Sequence, residues 1–513
     1  MTVEPQKNKA VVYLVGAGPG RADLITVRGA ELLKNADCII YDKLANPALL
    51  SYARPDAEII HVPKRIGPCS CRQDQINKLI VEKASPGKTV VRLKGGDPCI
   101  FGRGSEEARV LADAGIDFEI VPGITAAVAA AEYTGIMLTD RDYSSQVTFI
   151  TGHEAQDKTD TNIDWSLLAK FPGSIVFYMA MGGLQIITDR LINNGMDKET
   201  PAAVIANATF PGQRITRAPL HQLSDKCEKE NIKPPAIVVI GTAAASDSNL
   251  NWFMKKPLFG KTIVVTRDRR GNAGFAAGII RRSGNPVEFP TIKIEPLTQT
   301  KKFLHALSKF SDYDWIIFTS PNGVRIFFDY LQSLAKDTRV FASAKIAAIG
   351  TQTATKLAEF GINPDFVPSV FTGKELANQL IAHANMHDKK ILLLRSRLAS
   401  NELVHLLQQA GADVDNVPLY TVSVEKSESK PLTEKISSGA IDWLTFTSPS
   451  CVRAFFEQIP PDSVDSSNVR IATIGPVTSE RLKNIGVKID IQAAEHTIKG
   501  LLDAIEQEEI SKT

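Results

Sequence analysis

The run DWIIFTSPNGVRIFF at 314–328 recurs as DWLTFTSPSCVRAFF at 442–456. KIAAIGTQTATKLAEFGI at 345–362 recurs as RIATIGPVTSERLKNIGV at 470–487. KTIVVTR at 261–267, followed by a helical stretch and SGNPVEFP, matches KILLLRS at 390–396, a helical stretch and AGADVDNVP. Three motifs repeated in the same order at nearly constant offset mean a duplicated supersecondary unit. Each copy sets short apolar runs against helical periods, so this half of the chain reads as two similar α/β lobes facing across a cleft. A ligand of such lobes sits at the carboxyl ends of the strands, where the TSP and IGT/IGP turns fall.

The first half repeats nothing but follows the same logic. KAVVYLVGAGPGRADLITVRGAELLKNADCIIYD (9–42) reads strand, Gly-rich turn, helix, strand. Later strand-like runs are TVVRLKG (89–95), QVTFITG (146–152), SIVFYMA (174–180), AAVIANA (202–208) and AIVVIG (236–241). Strands alternating with helices imply α/β layers with mainly parallel sheets. At 513 residues the chain is too long for one core, and about two to four domains are expected. A boundary falls near 246–260, where SDSNLNWFMKKPLFGK has no clear period.

Composition narrows the partners. The formal charge of +2 creates no bulk field for nucleic acid, so anionic partners must be held by local clusters. The longest apolar runs are strand-sized, too short to span a membrane. MTVEPQKNKA lacks the apolar core of a signal peptide, so a cytoplasmic location is expected. Cys38, Cys69, Cys71, Cys99, Cys227 and Cys451 are scattered without metal-ligand spacing, as for reduced structural thiols.

Three segments of the first half look built for a ligand. GAGPG at 16–20, with Asp42 ending the second strand, imitates a dinucleotide fingerprint, but Arg21 stands at the position of its last glycine and Pro19 removes a donor N–H. VVRLKGGDPCIFGRGSEEARVL (90–111) carries two Gly turns around Asp97 and Pro98 and then a helix start with Ser105, Glu106 and Glu107. EIVPGITAAVAAAEYTGIMLTDRD (119–142) sets Thr125 as an N-cap before an Ala-rich helix that something must pack against closely.

VYLVGAGPG, the Asp42 strand end, VPKR (62–65), LKGGDP…FGRGSEE, VPGITAA, TGH (151–153) and FYM (177–179) resemble the uroporphyrinogen-III C-methyltransferases, members of the tetrapyrrole methylases. The likeness covers about 10–250. It implies two α/β domains with S-adenosylmethionine between them as methyl donor, no metal, and a homodimer formed through this half. It also implies that Pro19, Gly95, Gly96, Asp97, Ile100, Thr125, Ala126, Met179 and Ala208 hold the cofactor, and that Asp42 and Lys64 do acid–base work. The sequence departs from the family pattern at Ala180, at Ala208 within Asn207-Ala208-Thr209, and at Asp140 within Thr139-Asp140-Arg141. The implied substrate, uroporphyrinogen III, is a polycarboxylate. Arg28, Lys64, Arg65, Arg92, Lys94 and Arg103 lie near these loops, Arg28 and Arg103 being the leading substrate contacts, and arginine pairs carboxylates bidentately.

The duplicated turns of the second half resemble uroporphyrinogen-III synthase across about 260–508. The resemblance implies lobe one at 260–293 plus 423–510 and lobe two at 294–422, so the expected domains are 1–250 and 258–513. It implies cyclisation of hydroxymethylbilane to uroporphyrinogen III, with Tyr420 assisting loss of the leaving group. Hydroxyls and backbone N–H groups at strand ends suit a floppy polyanion; the candidates are Thr319, Ser320, Asn322, Gly323, Thr351, Thr447, Ser448 and Thr473. The two resemblances together imply a bifunctional enzyme, with dimethylation to precorrin-2 on the siroheme or cobalamin route. The competing expectation is a methyltransferase whose second half only senses tetrapyrroles.

Overall fold

A computed structural model of the chain describes residues 10–62, 73–84, 87–152, 162–245, 248–341, 344–465 and 467–512. They form two compact units. The first comprises 1–262, 277–286 and 506–513, and the second 263–276 and 287–505.

The first unit holds two five-stranded sheets. In the first, β1 (Val11–Gly16), β2 (Cys38–Asp42), β3 (Glu58–Val62), β4 (Thr89–Lys94) and β5 (Asp117–Val121) are ordered β3-β2-β4-β1-β5. Its recorded pairings are all parallel. Side chains alternate across a strand, so Val12 and Leu14 join the core on one face while Val15 joins the core on the other. Burial on both faces is why β1 reads as an unbroken apolar run.

The second sheet contains β6 (Val147–Thr151), β7 (Ser174–Tyr178), β8 (Pro201–Ala206), β9 (Arg214–Pro219) and β10 (Ala236–Ile240), ordered β6-β7-β10-β8-β9. Here the expectation of mainly parallel pairing fails. Only β6–β7 is parallel, and β10 runs antiparallel to both β7 and β8, as β9 does to β8. The turn after β8 reverses the chain through left-handed Asn207 and Thr209 straight into β9, and no helix intervenes to make a parallel crossover. Strands β3, β5 and β9 escaped the sequence reading because they lie at sheet edges with most positions half-buried or exposed.

The second unit is built from the repeat. β11 (Thr262–Val265) and β12 (Asn285–Glu288) open it, with Thr262, Asn285 and Pro286 falling inside the first unit's bounds. Next come β13 (Ile292–Pro296), β14 (Trp315–Phe318), β15 (Lys345–Ala348), β16 (Lys390–Ser396) and β17 (Asp413–Val424). It ends with β18 (Trp443–Phe446), β19 (Arg470–Thr473) and β20 (Ile491–Gln492). One sheet runs β12-β11-β18-β19-β20 and the other β13-β17-β16-β14-β15. Each therefore sets the first motif of one repeat beside the other two motifs of its counterpart. In β14, Trp315 and Ile317 enter one core and Ile316 and Phe318 the other, again because both faces are covered.

Candidate functional site

The carboxyl ends of β1 and β4 are locked together. Ala17 N donates to Lys94 O at 2.7 Å, Gly96 N to Gly18 O at 2.7 Å, and Gly18 N to Gly96 O at 3.2 Å. The loop after β5 packs against this pair backbone to backbone: a Cβ on Gly16 would lie 2.5 Å from Gly123 Cα and 2.8 Å from Gly96 O. Only glycine permits that approach. Asp97 ties the same loops. Its Oδ1 accepts from Cys99 N at 2.8 Å and Ile100 N at 3.1 Å, and its Oδ2 from Gly123 N at 3.0 Å. In this arrangement the Asp97 carboxylate organises the loops. Half-buried Pro19 stands between Gly18 and Gly20, whose φ values are +79° and +157°. Gly95 backs onto Leu44, 2.7 Å from where its Cβ would be.

Backbone strain concentrates in the loops around this lock. Phe101 (φ 52°), Arg103 (61°), Met179 (54°), Asn207 (49°) and Thr209 (69°) are non-glycine residues in the left-handed region. Such conformations cost about 1–3 kcal/mol each and persist where surrounding structure imposes them, commonly at ligand sites. They follow β4, β7 and β8 and leave Met179 and Ile100 exposed, while Ala208 is half-buried. Tyr178, which the sequence reading passed over, joins the two halves of the site. Its hydroxyl lies 2.6 Å from Thr125 Oγ1 and accepts from Ala127 N at 3.1 Å, and its ring meets Phe101 at 4.9 Å. Burial pushes the Tyr178 pKa up, so it stays protonated. Its signal was its place in the middle of FYM. On the other side, Thr209 Oγ1 accepts from Arg21 N at 3.1 Å, and Gln213 bridges Thr209 N and Tyr133 O, both at 2.9 Å.

Asp42 ends β2 with only 6% of its surface exposed. Arg92 Nη2 donates to its Oδ1. Arg92 Nε reaches Glu107 Oε1 at 3.1 Å, and Lys94 Nζ lies 2.8 Å from Glu107 Oε2, an ion pair out of hydrogen-bond alignment. Gln73 Nε2 donates to Glu107 Oε1 at 3.1 Å. Burial lowers the Lys94 pKa, with Glu107 opposing the shift. The expectation that Arg92 and Lys94 hold substrate carboxylates is thus corrected. Two positions apart on β4 they share a face, and there both are fully buried on Glu107 and Asp42. Arg28 and Arg103 remain half-exposed, paired with Glu119 (3.0 Å) and Glu106 (2.7 Å). Lys64 and Arg65 lie outside the described residues.

In the second unit the two TSP turns are helix caps. Ser320 accepts from Gly323 N at 3.0 Å at the head of helix Pro321–Ser333, and Ser448 from Cys451 N at 3.2 Å at the head of Pro449–Phe456. Tyr420 sits where β17 passes from β16 to β13, paired in register with both Ser396 and Pro296. Its hydroxyl lies 2.8 Å from Ser320 Oγ, and burial pushes its pKa up. Thr319, Asn322 and Thr447 are half-buried and Thr351 is exposed. Thr473 is a correction: it is fully buried at the end of β19 with its hydroxyl 2.7 Å from Ser479 Oγ, so it has no face to offer a substrate.

Residues 11–224 match the family model of tetrapyrrole (corrin/porphyrin) methylases, and residues 274–503 that of uroporphyrinogen-III synthase HemD. Among curated proteins the chain is similar to the porphyrin biosynthesis protein HemD of Ruminiclostridium josui, 39% identical over 96% of this chain and 97% of the relative. It is also similar to the uroporphyrinogen-III C-methyltransferase of Bacillus subtilis, 36% identical over 77% of this chain and 84% of the relative. Among solved structures, uroporphyrin-III C-methyl transferase from Thermus thermophilus complexed with S-adenyl homocysteine is 33% identical, covering 46% of this chain and 98% of that one with a TM-score of 0.39. The family matches define an enzyme of tetrapyrrole biosynthesis made of two consecutive parts. The chain belongs to the family in which a tetrapyrrole methylase is fused to a uroporphyrinogen-III synthase.

Proposed function

We propose that the first unit transfers methyl groups from S-adenosylmethionine to uroporphyrinogen III, twice, giving precorrin-2 for siroheme or cobalamin. The second unit, on this reading, closes hydroxymethylbilane to uroporphyrinogen III. The observation that carries the first half is the lock of the Gly16, Gly96 and Gly123 loops beside the left-handed backbone after β4, β7 and β8. The residues fit the cofactor. A Cβ on Gly96 would make only ordinary contacts, with Ala126 N at 3.7 Å and Thr125 Cα at 3.9 Å, so the bare Gly96 backbone lies beside the Thr125 and Ala126 backbone that would receive the cofactor. Pro19, Gly95, Gly96 and Ile100 would line it, Thr125 and Ala126 would receive its amino-acid end, and Met179 and Ala208 would border its adenosine.

S-adenosylmethionine supplies a methyl already activated on sulfonium for attack by a pyrrole β-carbon. The protein supplies alignment. Asp42, oriented by Arg92, takes the proton that the methylated ring must lose, with Lys64 as its acid–base partner. Arg28 and Arg103 would exchange their surface carboxylates for those of the substrate.

In the second unit Tyr420, kept protonated by burial, would donate from Oη to the departing hydroxide. Thr319, Ser320, Asn322, Thr351, Thr447 and Ser448 would hold the folded polyanion so that the last ring closes inverted. The test supplies hydroxymethylbilane to the full chain anaerobically, with and without S-adenosylmethionine. The type III ring without the cofactor and a gain of two methyls with it are expected. Only the spontaneous type I isomer from a folded chain would leave the second half a sensing module. A homodimer through the first unit belongs to this reading, and sedimentation at micromolar concentration checks it.

A further inference from the structure

Asp42 is one end of a buried charged quartet in which Arg92 orients it and Lys94 and Glu107 have no part in the proposed chemistry. Glu107, three residues into the helix Gly104–Asp113, is its hub, taking Arg92 Nε on Oε1, Lys94 Nζ beside Oε2 and Gln73 Nε2 on Oε1. Arg92 is held on every edge. Nη1 lies 3.4 Å from both Ile40 O and Leu93 O, Nε meets Glu107, and Nη2 meets Asp42. Four charged residues at most 6% exposed carry a large desolvation cost that apolar residues of the same size would avoid. The charges balance, two cations against two anions; Asp42 ends β2 and Lys94 ends β4, and of the two Asp42 keeps the larger exposed surface.

We propose that Glu107 is a positioning residue for proton acceptance at Asp42, acting through Arg92 and Lys94. The proposal rests on Asp42 being the base. In the step concerned a ring C–H bond breaks, its electron pair returns to the ring, and an O–H bond forms on the Asp42 carboxylate. Glu107 does two things for that step. It fixes the plane of the Arg92 guanidinium, and so the carboxylate that Arg92 holds. It also sets a second negative charge against Arg92 and Lys94, which Asp42 would otherwise face alone. The groups facing the quartet from neighbouring elements are Arg103 and Asp74, which interact with each other and, for Arg103, with Glu107, and Glu106, which holds Arg103. None of these changes in the variants below.

The sign is set by charge. Glu107→Gln leaves an excess cation, which favours the carboxylate and moves the acid limb of methylation to lower pH by about one unit. Lys94→Met leaves an excess anion and moves the limb to higher pH by a similar amount. A purely structural quartet would lose folded protein in both variants and shift neither limb in opposite senses. The experiment measures kcat/KM for uroporphyrinogen III methylation against pH in the full chain. Calorimetry with S-adenosylhomocysteine and circular dichroism report on the cofactor site and the fold. Opposite shifts with cofactor affinity held within about threefold are expected. Unshifted limbs, or shifts of the same sign, in folded variants overturn the proposal; if one variant does not fold, the other decides alone. Asp42→Asn separates the two levels. If it retains the parental rate, Asp42 is not the base and the underlying reading fails. If it is inactive while the other limbs stay put, only the role of Glu107 fails.

Discussion

Replacing Gly123 with alanine tests the lock that holds the first unit's loops. The added methyl would sit 2.9 Å from Gly16 C and 2.8 Å from Gly16 Cα, and closer still to Gly96 O, all rigid backbone. Ordinary carbon contacts begin near 3.5 Å, so these loops must separate by roughly half an ångström or more. Overpacking of this kind costs about 1–3 kcal/mol. The same movement pulls Gly123 N from Asp97 Oδ2, a bond to a charged acceptor worth about 1.5–3 kcal/mol. The loops can open to relieve the overlap, so global stability falls by less than the total and the cofactor site takes the rest. About 3 kcal/mol withheld from binding is roughly a hundredfold in Kd at 25 °C. Calorimetry with S-adenosylhomocysteine measures it. Gly274→Ala is the control: no heavy atom lies within 4 Å of the new Cβ, and the site is in the helix Arg269–Arg281 of the synthase part. Unaltered cofactor affinity is expected there. A folded Gly123→Ala chain that binds within twofold of the parent would refute the assignment of these loops to the cofactor.

Asp97→Ala removes three backbone acceptor contacts and should weaken S-adenosylhomocysteine binding more than Asp42→Ala does; equal calorimetric losses would contradict the two roles. Ser320→Ala removes both a helix cap and the partner of Tyr420, so it should lower stability by about 1 kcal/mol as well as slow ring closure, whereas Tyr420→Phe keeps the cap and should slow closure without abolishing it; denaturation and isomer analysis distinguish them. A fragment ending at 250 loses Phe253, which is buried against Tyr133 and lies 5.9 Å from the Arg21 guanidinium. It should melt lower than one ending at 262, consistent with about 1.5–3 kcal/mol for the burial of one such side chain. A thiol reagent at pH 8 should label exposed Cys99 before the buried thiols of the described residues, and S-adenosylhomocysteine should slow that labelling. Cys38 and Cys227, pushed by burial up to about 11, should resist until the chain unfolds, as peptide mass spectrometry would show.

The sequence by itself determined the strands buried on both faces. β1, β7, β8 and β10 are apolar along almost their whole length because both their faces are covered, and that pattern survives any arrangement of neighbours. It also determined the duplication and the loops where glycine is required, since a missing Cβ is visible as a letter. The edge strands β3, β5 and β9 were not legible, because an exposed strand carries no apolar period and is defined only by the strand beside it. The partner of each repeat motif was likewise undecided by the motifs themselves: β11 pairs with β18 and β16 with β14, although either first motif has the composition to pair with either second one. Arg92 and Lys94 show the limit most plainly. As letters beside a ligand loop they are two cations awaiting an anionic substrate. Only the tertiary structure brings Glu107 and Asp42 to the same face of β4, and once those charges are buried together, pairing within the protein costs less than leaving any one of them alone.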